Sequence, residues 1–169
     1  ERTFMIAFKD EVNWRSSPKG TISSRFDKNF PPQKLNSPNS IKNYLETGEI
    51  DDVFYYRQDK YMYPELRKVM QSQDTLYQWR RKYVRENKSN LCPTLTANMG
   101  TGGHNVPLVL TDDGMRKLTP RECFNFQGYP KSFKFPADMA NSHLYKQAGN
   151  SVSVPLIAKL AKLIKKVIS

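Results

Sequence analysis

The stretch Gln147-Ala148-Gly149-Asn150-Ser151-Val152 decides the fold of this chain. Gly149 permits a backbone with positive φ, and Asn150 and Ser151 carry short polar groups, so the stretch predicts a polar loop that faces a ligand. Val154-Pro155 then begins a helix, because proline in a first turn needs no partner for its missing N–H. An ordinary turn before an ordinary terminal helix is the alternative interpretation.

The predicted C-terminal helix has an apolar face and a cationic face. Its apolar residues recur at spacings of three and four, and they are Leu156, Ile157, Leu160, Leu163, Ile164, Val167 and Ile168. Between them lie Lys159, Lys162, Lys165 and Lys166. The apolar face must therefore be buried against another part of the protein.

A second informative block lies upstream and consists of Leu118-Thr119-Pro120-Arg121-Glu122-Cys123-Phe124-Asn125-Phe126-Gln127-Gly128-Tyr129-Pro130. In order and spacing, the two blocks resemble closing motifs IX and X of bacterial DNA cytosine-5 methyltransferases. Few other families carry both motifs. The resemblance covers residues 1–8, 91–107 and 118–169, and the region between them corresponds to the variable target-recognition domain.

The resemblance implies a mixed α/β fold. We expect residues 1–12 and 131–169 to supply a strand and the C-terminal helix of a doubly wound, S-adenosylmethionine-dependent methyltransferase domain. Residues 13–130 would form a small, irregular target-recognition domain that includes motif IX.

Local patterns predict the individual elements. Strands are expected at residues 2–8, 92–99 and 106–111, and the last of these turns at Asp112-Asp113-Gly114 into residues 115–118. Helices are expected at residues 40–45, ending near Gly48, and at residues 64–73. The Ser- and Pro-rich residues 13–40 predict an extended linker.

The composition favours a folded protein that binds a polyanion. The 169 residues are 38% hydrophobic and 12% aromatic, and 27 Lys and Arg outnumber 16 Asp and Glu, for a net charge of +11. No apolar run approaches the roughly 18 to 20 residues of a spanning helix, and no signal peptide is evident. We therefore expect a soluble, cytoplasmic protein with no membrane partner and with nucleic acid as its ligand.

Cysteine and histidine are scarce. The chain contains only Cys92 and Cys123, with His104 and His143. Their spacing supports neither a disulfide framework nor a zinc site, so no metal is expected. Cys92-Pro93 reverses the Pro-Cys order of the family nucleophile, and Cys123 is interpreted as a packing residue. The chain therefore contains no credible nucleophile.

A basic cluster lies between residues 78 and 88. Its cations are Arg80, Arg81, Lys82, Arg85 and Lys88, and Tyr77, Trp79 and Tyr83 lie among them. Cations mixed with aromatics favour contacts with phosphates, and arginine can also bind a guanine edge through two hydrogen bonds. A solvated basic face whose aromatics pack inward is the alternative.

A glycine-rich loop follows Asn98. It lacks the Gly-Lys-Ser/Thr of a nucleotide-binding loop. Its glycines would instead allow the backbone to approach a DNA groove, and short polar groups for base edges are supplied by Thr94, Thr96, Asn98, Thr101, His104 and Asn105. A plain hairpin loop remains the alternative.

The resemblance also implies roles for individual residues. Arg2 would hold the extruded cytosine, as the last arginine of a Gln-x-Arg-x-Arg motif. The major groove would be contacted by Thr94 and Leu95 together with the loop residues Gly102, Gly103 and His104. Arg121 would organise the recognition domain and lie at the DNA interface. Asn150, Ser151 and Val152 would face S-adenosylmethionine, a cofactor shared with an N-terminal catalytic portion.

Three functions are compatible with these features. The first is the C-terminal portion of a DNA cytosine-5 methyltransferase of a restriction-modification system, inactive alone because the nucleophile is absent. Its partners would be double-stranded DNA and the N-terminal portion, and the methyl group would pass to carbon 5 of a flipped cytosine. The alternatives are a stand-alone, non-catalytic DNA-binding module and a relative that acts on RNA.

Overall fold

A computed structural model describes residues 4–6, 40–87, 91–101 and 105–168, with side chains described as far as residue 165. The chain divides into two compact units. One is Ser37–Ser153, and the other includes the C-terminal helix from Val154. Within the described ranges, no helix is both long enough and apolar enough to cross a membrane. The predicted domain boundaries after residues 12 and 130 stay predictions.

Four short strands form one antiparallel sheet in the order β2-β1-β3-β4. Their bounds are β1 Leu76–Arg80, β2 Tyr83–Asn87, β3 Leu108–Thr111 and β4 Gly114–Lys117. The predicted hairpin of β3 and β4 is confirmed. It turns at Gly114, whose φ of 124° suits glycine far better than any residue with a side chain.

Helices precede, separate and follow the strands along the chain, and the architecture is mixed α/β as expected. The 3-10 helices are η1 Ile41–Tyr44, η2 Asp52–Phe54 and η3 Ala97–Gly100, and the α-helices are α1 Tyr63–Val69, α2 Pro120–Phe126, α3 Asn141–Asn150 and α4 Val154–Ile168. The predicted helices at residues 40–45 and 64–73 are present as η1 and as a shorter α1. The predicted C-terminal helix is confirmed as α4.

The sheet of Ser37–Ser153 has a hydrophobic cluster on each face, because alternate residues of a strand point to opposite sides. Leu76 and Val109 belong to one cluster, with buried residues of α2 and α3. Tyr77 and Leu108 belong to the other cluster, which Leu66 of α1 covers. The unit is therefore two layers of helices around one small sheet.

Two local predictions are wrong, and a third is tested only in part. Residues 91–96 are irregular and lead into η3, although a strand was predicted at residues 92–99. Gln147 to Asn150 form the last turn of α3 rather than a polar loop, and Gly149 does not have positive φ. A strand was predicted at residues 2–8, but residues 4–6 are not in a strand and the remainder lies outside the described residues. Residues 13–39 of the predicted linker also lie outside the described residues.

A buried ion pair joins β4 to α2. Arg116 donates from Nη1 to Glu122 Oε2 and from Nη2 to Glu122 Oε1, each at 2.7 Å, and the two side chains are 2% and 0% exposed. Burial alone would lower the pKa of Arg116, but the hydrogen bonds and charge of Glu122 raise it above its ordinary value. The guanidinium therefore remains charged inside the core.

The Glu122 carboxylate also satisfies two backbone amides. Glu46 N donates to Oε1 at 2.9 Å and Thr119 N donates to Oε2 at 2.8 Å. Thr119 Oγ1 in turn accepts from Glu122 N at 3.1 Å, which completes a capping box at the start of α2. One carboxylate thus ties together β4, the N-terminus of α2 and the segment that follows η1.

We predict that Glu122→Gln destabilises the protein by about 3 kcal/mol, because it leaves the charge of Arg116 buried without a counter-ion. The measurement is the free energy of unfolding from urea denaturation. Glu65→Gln is the matched control, since it breaks an exposed ion pair with Lys68 and should cost less than about 1 kcal/mol. Equal effects of the two substitutions would contradict the role of the buried pair.

Candidate nucleic-acid interface and cofactor corner

Apart from Lys88, which lies outside the described residues, the basic cluster forms the hairpin of β1 and β2, hereafter the basic hairpin. Arg80 and Arg85 are exposed on its strands, and Arg81 occupies its turn with a φ of 52°. Cross-strand pairs align Arg80 with Tyr83 and Gln78 with Arg85. The three predicted arginines are therefore brought together on one exposed projection.

The aromatic residues of the cluster have three different environments. Tyr77 is buried, and its hydroxyl accepts from Ser72 N at 2.9 Å and donates to Ser72 O at 3.1 Å. Trp79 is half-buried, and Tyr61 meets its ring edge-on at 6.2 Å. Tyr83 is 60% exposed. The alternative in which all the aromatics pack inward therefore holds for Tyr77 but not for Tyr83.

A second candidate surface is residues 94–98, hereafter the threonine segment. Thr94, Thr96 and Asn98 are exposed, whereas Leu95 lies in the core with 5% exposure. A DNA contact by Leu95 would therefore involve its backbone. The other predicted DNA contacts, Gly102, Gly103 and His104, lie outside the described residues, as does Arg2.

The threonine segment packs tightly against the end of α3. A Cβ atom placed on Gly149 would lie 2.1 Å from the carbonyl carbon of Thr96 and 2.3 Å from Ala97 N. Gly100 makes a similar approach at the other end of α3, where its Cβ would lie 2.5 Å from Ser142 O. The backbones of η3 and α3 therefore meet at distances that only glycine allows.

Residues 150–152, for which cofactor contacts were predicted and which are hereafter called the cofactor corner, follow Gly149 directly. Asn150 is exposed at the end of α3, and Ser151 and Val152 are half-buried. Ser151 N donates to Gln147 O at 2.9 Å, and Ser151 Oγ donates to Ala148 O at 2.9 Å. The glycine contact thus holds the cofactor corner beside the threonine segment, two segments that the sequence alone could not place together and whose binding roles stay predictions.

Arg121 packs against an aromatic cluster. Its guanidinium carbon lies 3.9 Å from the centre of the Phe135 ring. The rings of Phe124, Tyr129, Phe133 and Phe135 contact one another, with centroids 4.9 to 5.9 Å apart. Its Nη1 atom is buried and has no hydrogen-bond partner within the part of the chain that the structure describes. Arg121 therefore contributes packing to the motif IX block.

The buried pair of Arg116 and Glu122 was missed by the sequence reasoning. The spacing of Thr119 and Glu122 matches a capping box, and this signal could have singled out Glu122. No comparable signal marks Arg116, because its partner lies on another element. Arg116 and Glu122 link β4 to α2 next to Arg121, and the organising role of Arg121 stays a prediction.

Neither cysteine has the environment of a nucleophile. Burial raises the pKa of the Cys92 thiol to about 12 and raises that of Cys123 well above its ordinary value. An attacking cysteine requires a lowered pKa, so that the thiolate is present at neutral pH. Both thiols therefore remain protonated under physiological conditions.

The comparison with known families is decisive. A family model described as C-5 cytosine-specific DNA methylase matches residues 1–166. The chain belongs to this family. The fold and the family together imply a cofactor of the S-adenosylmethionine type.

Two bacterial Type II methyltransferases resemble the chain over nearly its whole length. The Type II methyltransferase M.Bsp6I of Bacillus sp. (strain RFL6) is 54% identical over 169 residues, which cover 98% of this chain and 49% of that protein. M.NgoBI of Neisseria gonorrhoeae is 30% identical over 163 residues, covering 96% and 44%. The chain therefore spans about half the length of these relatives.

A solved structure of a methyltransferase supports the fold. The Dnmt2 methyltransferase of S. pombe matches with a TM-score of 0.58 and 15% sequence identity, over 89% of this chain and 47% of that one. The similarity is consistent with an S-adenosylmethionine-dependent methyltransferase fold, as the sequence predicted.

We predict that Gly149→Ala destabilises the protein by about 1 to 2 kcal/mol. Alanine favours a helix over glycine by roughly 1 kcal/mol, but forcing a methyl group into a closed contact costs about 1 to 3 kcal/mol and should prevail at 2.1 Å. Thermal and urea unfolding measure the change. His143→Ala on the exposed face of α3 is the control and should leave stability unchanged. A Gly149→Ala variant more stable than the wild-type protein would contradict the tight contact.

Proposed function

We propose that the chain is the C-terminal portion, or a subunit, of a DNA cytosine-5 methyltransferase. It recognises a specific sequence in duplex DNA and completes the S-adenosylmethionine pocket of the N-terminal catalytic portion. The whole enzyme transfers a methyl group to carbon 5 of a flipped cytosine, in a restriction-modification system. The chain alone does not perform this reaction.

The observation that carries the proposal is the glycine contact between the threonine segment and the cofactor corner. A residue that binds cofactor and a segment that binds DNA need a fixed separation if the methyl group is to reach its target base. Gly149 fixes this separation through direct backbone packing against Thr96. A DNA-binding module without chemistry has no need of such a contact.

The cofactor corner has groups that suit S-adenosylmethionine. The exposed amide of Asn150 can donate and accept hydrogen bonds, and Val152 offers an apolar surface. These residues would bind one side of the cofactor, which supplies the methyl group. The remaining side of the pocket is assigned to the N-terminal portion.

The C-terminal helix supports an interface with that portion. Its apolar residues Leu156 and Ile157 are each 37% exposed, although they belong to a strongly amphipathic face. Such a face favours burial against another surface. We assign that surface to the N-terminal catalytic portion, which also supplies the Pro-Cys nucleophile and the Glu-Asn-Val acid.

Complementation tests the proposal. The chain is mixed with the N-terminal portion of its enzyme, and transfer of tritiated methyl groups from S-adenosylmethionine to duplex DNA is measured. We expect transfer from the mixture, none from either part alone, and a large loss with Asn150→Ala. Absence of transfer from a mixture in which both parts are folded would refute the proposed function.

A further inference from the structure

The basic hairpin extends beyond the rest of its sheet. β1 pairs with β3 only at Tyr77 and Leu108, whereas its pairing with β2 continues to Arg80 and Tyr83. Residues 78–85 therefore form a two-stranded ribbon with no third strand among the described residues. A ribbon of this kind has the width that the major groove of B-DNA admits.

One face of this ribbon is polar, and three of its four side chains are exposed. Because paired residues share a face, Gln78, Arg80, Tyr83 and Arg85 lie on the same side. Trp79 and Val84 lie on the opposite side, where Val84 joins the cluster beneath α1. A partner that approaches the polar face meets two arginines and a tyrosine.

Arg85 is held in place on that face. Its Nη2 donates to Gln78 Oε1 at 2.7 Å, and Gln78 itself is only 9% exposed. Within the described part of the chain, the side chains of Arg80 and Arg81 form no hydrogen bond and no ion pair. Of these three arginines, Arg85 therefore has the most restricted guanidinium.

The geometry of the guanidinium decides what such a residue can recognise. Its five N–H donors form a planar fork, and Gln78 engages one nitrogen of that fork. The donors that remain can bind O6 and N7 of guanine in the major groove. Holding the side chain beforehand reduces the rotamer entropy lost on binding, which favours a specific contact over a diffuse attraction to phosphate.

We propose that Arg85 recognises a guanine of the target site in the major groove and that Gln78 is its positioning residue. The inference rests on the proposed function, because it assigns specificity within the same DNA interface. Arg80 and Arg81, which are exposed and unconstrained, contact phosphates and contribute affinity without sequence preference.

The test uses the enzyme reconstituted from the chain and its N-terminal portion. Sites methylated in a plasmid are mapped by bisulfite sequencing, and kcat/KM is then measured on short duplexes that contain the site. Each guanine of the site is replaced, one at a time, by 7-deazaguanine, which lacks the N7 acceptor. We expect one replacement to reduce kcat/KM about tenfold with the wild-type chain.

The arginine variants give the diagnostic result. With Arg85→Ala, the same replacement should have almost no further effect, because the contact is already absent. Arg80→Ala is the matched control: it should lower kcat/KM on every duplex alike, reduce the salt dependence, and leave the tenfold effect of 7-deazaguanine intact. Undiminished sensitivity to 7-deazaguanine in Arg85→Ala would overturn the inference.

Variants of Gln78 test its positioning role. Gln78→Leu should weaken the 7-deazaguanine effect several-fold without lowering the melting temperature by more than a few degrees. Gln78→Glu keeps an acceptor for Arg85 and should therefore retain the full effect. If the reconstituted enzyme methylates specific sites but Arg85→Ala abolishes the 7-deazaguanine effect at none of the guanines, only this inference is overturned. Absence of methylation would overturn the proposed function as well, so the two failures are distinguishable.

Discussion

The buried ion pair of Arg116 and Glu122 is the interaction on which the unit Ser37–Ser153 depends. Removing two charges from water costs several kcal/mol, and a protein with two apolar residues in their place is often as stable. Stability alone therefore does not explain why this ion pair is present. Its bidentate geometry and the amides of Glu46 and Thr119 specify one arrangement of β4, α2 and the segment after η1. The seven-residue α2 is too short to persist without such contacts.

The same unit holds the threonine segment and the cofactor corner in fixed register. α2 and α3 contribute to a common core through Cys123, Phe124, Tyr145 and Ala148, and Gly149 then seats the end of α3 on the threonine segment. Tyr145 strengthens this arrangement by donating its hydroxyl to Leu118 O at 2.5 Å. In the proposed enzyme, groups that contact DNA and groups that contact cofactor therefore move together, while the basic hairpin extends beyond the rest of its sheet.

The sequence predicted what depends on neighbouring residues. Helix α4 follows from apolar periodicity and Pro155, and the β3–β4 hairpin follows from Asp112-Asp113-Gly114. The charge of the basic cluster was evident in the sequence, but its hairpin was not predicted. Distant contacts were not predictable: nothing local pairs Arg116 with Glu122. The glycine pattern also misled, since Gly149 is needed for its lack of a side chain rather than for positive φ. Residues 92–99 alternate like a strand, but they pack on a helix.

Native-state hydrogen exchange of the Glu46 and Thr119 amides tests the central claim most directly, because both donate to Glu122 inside the core. If the buried pair unites the surrounding elements, these amides exchange only through global unfolding, with the same opening free energy as amides in β1 and β3. Exchange through local openings that cost at least about 2 kcal/mol less than global unfolding would contradict the account.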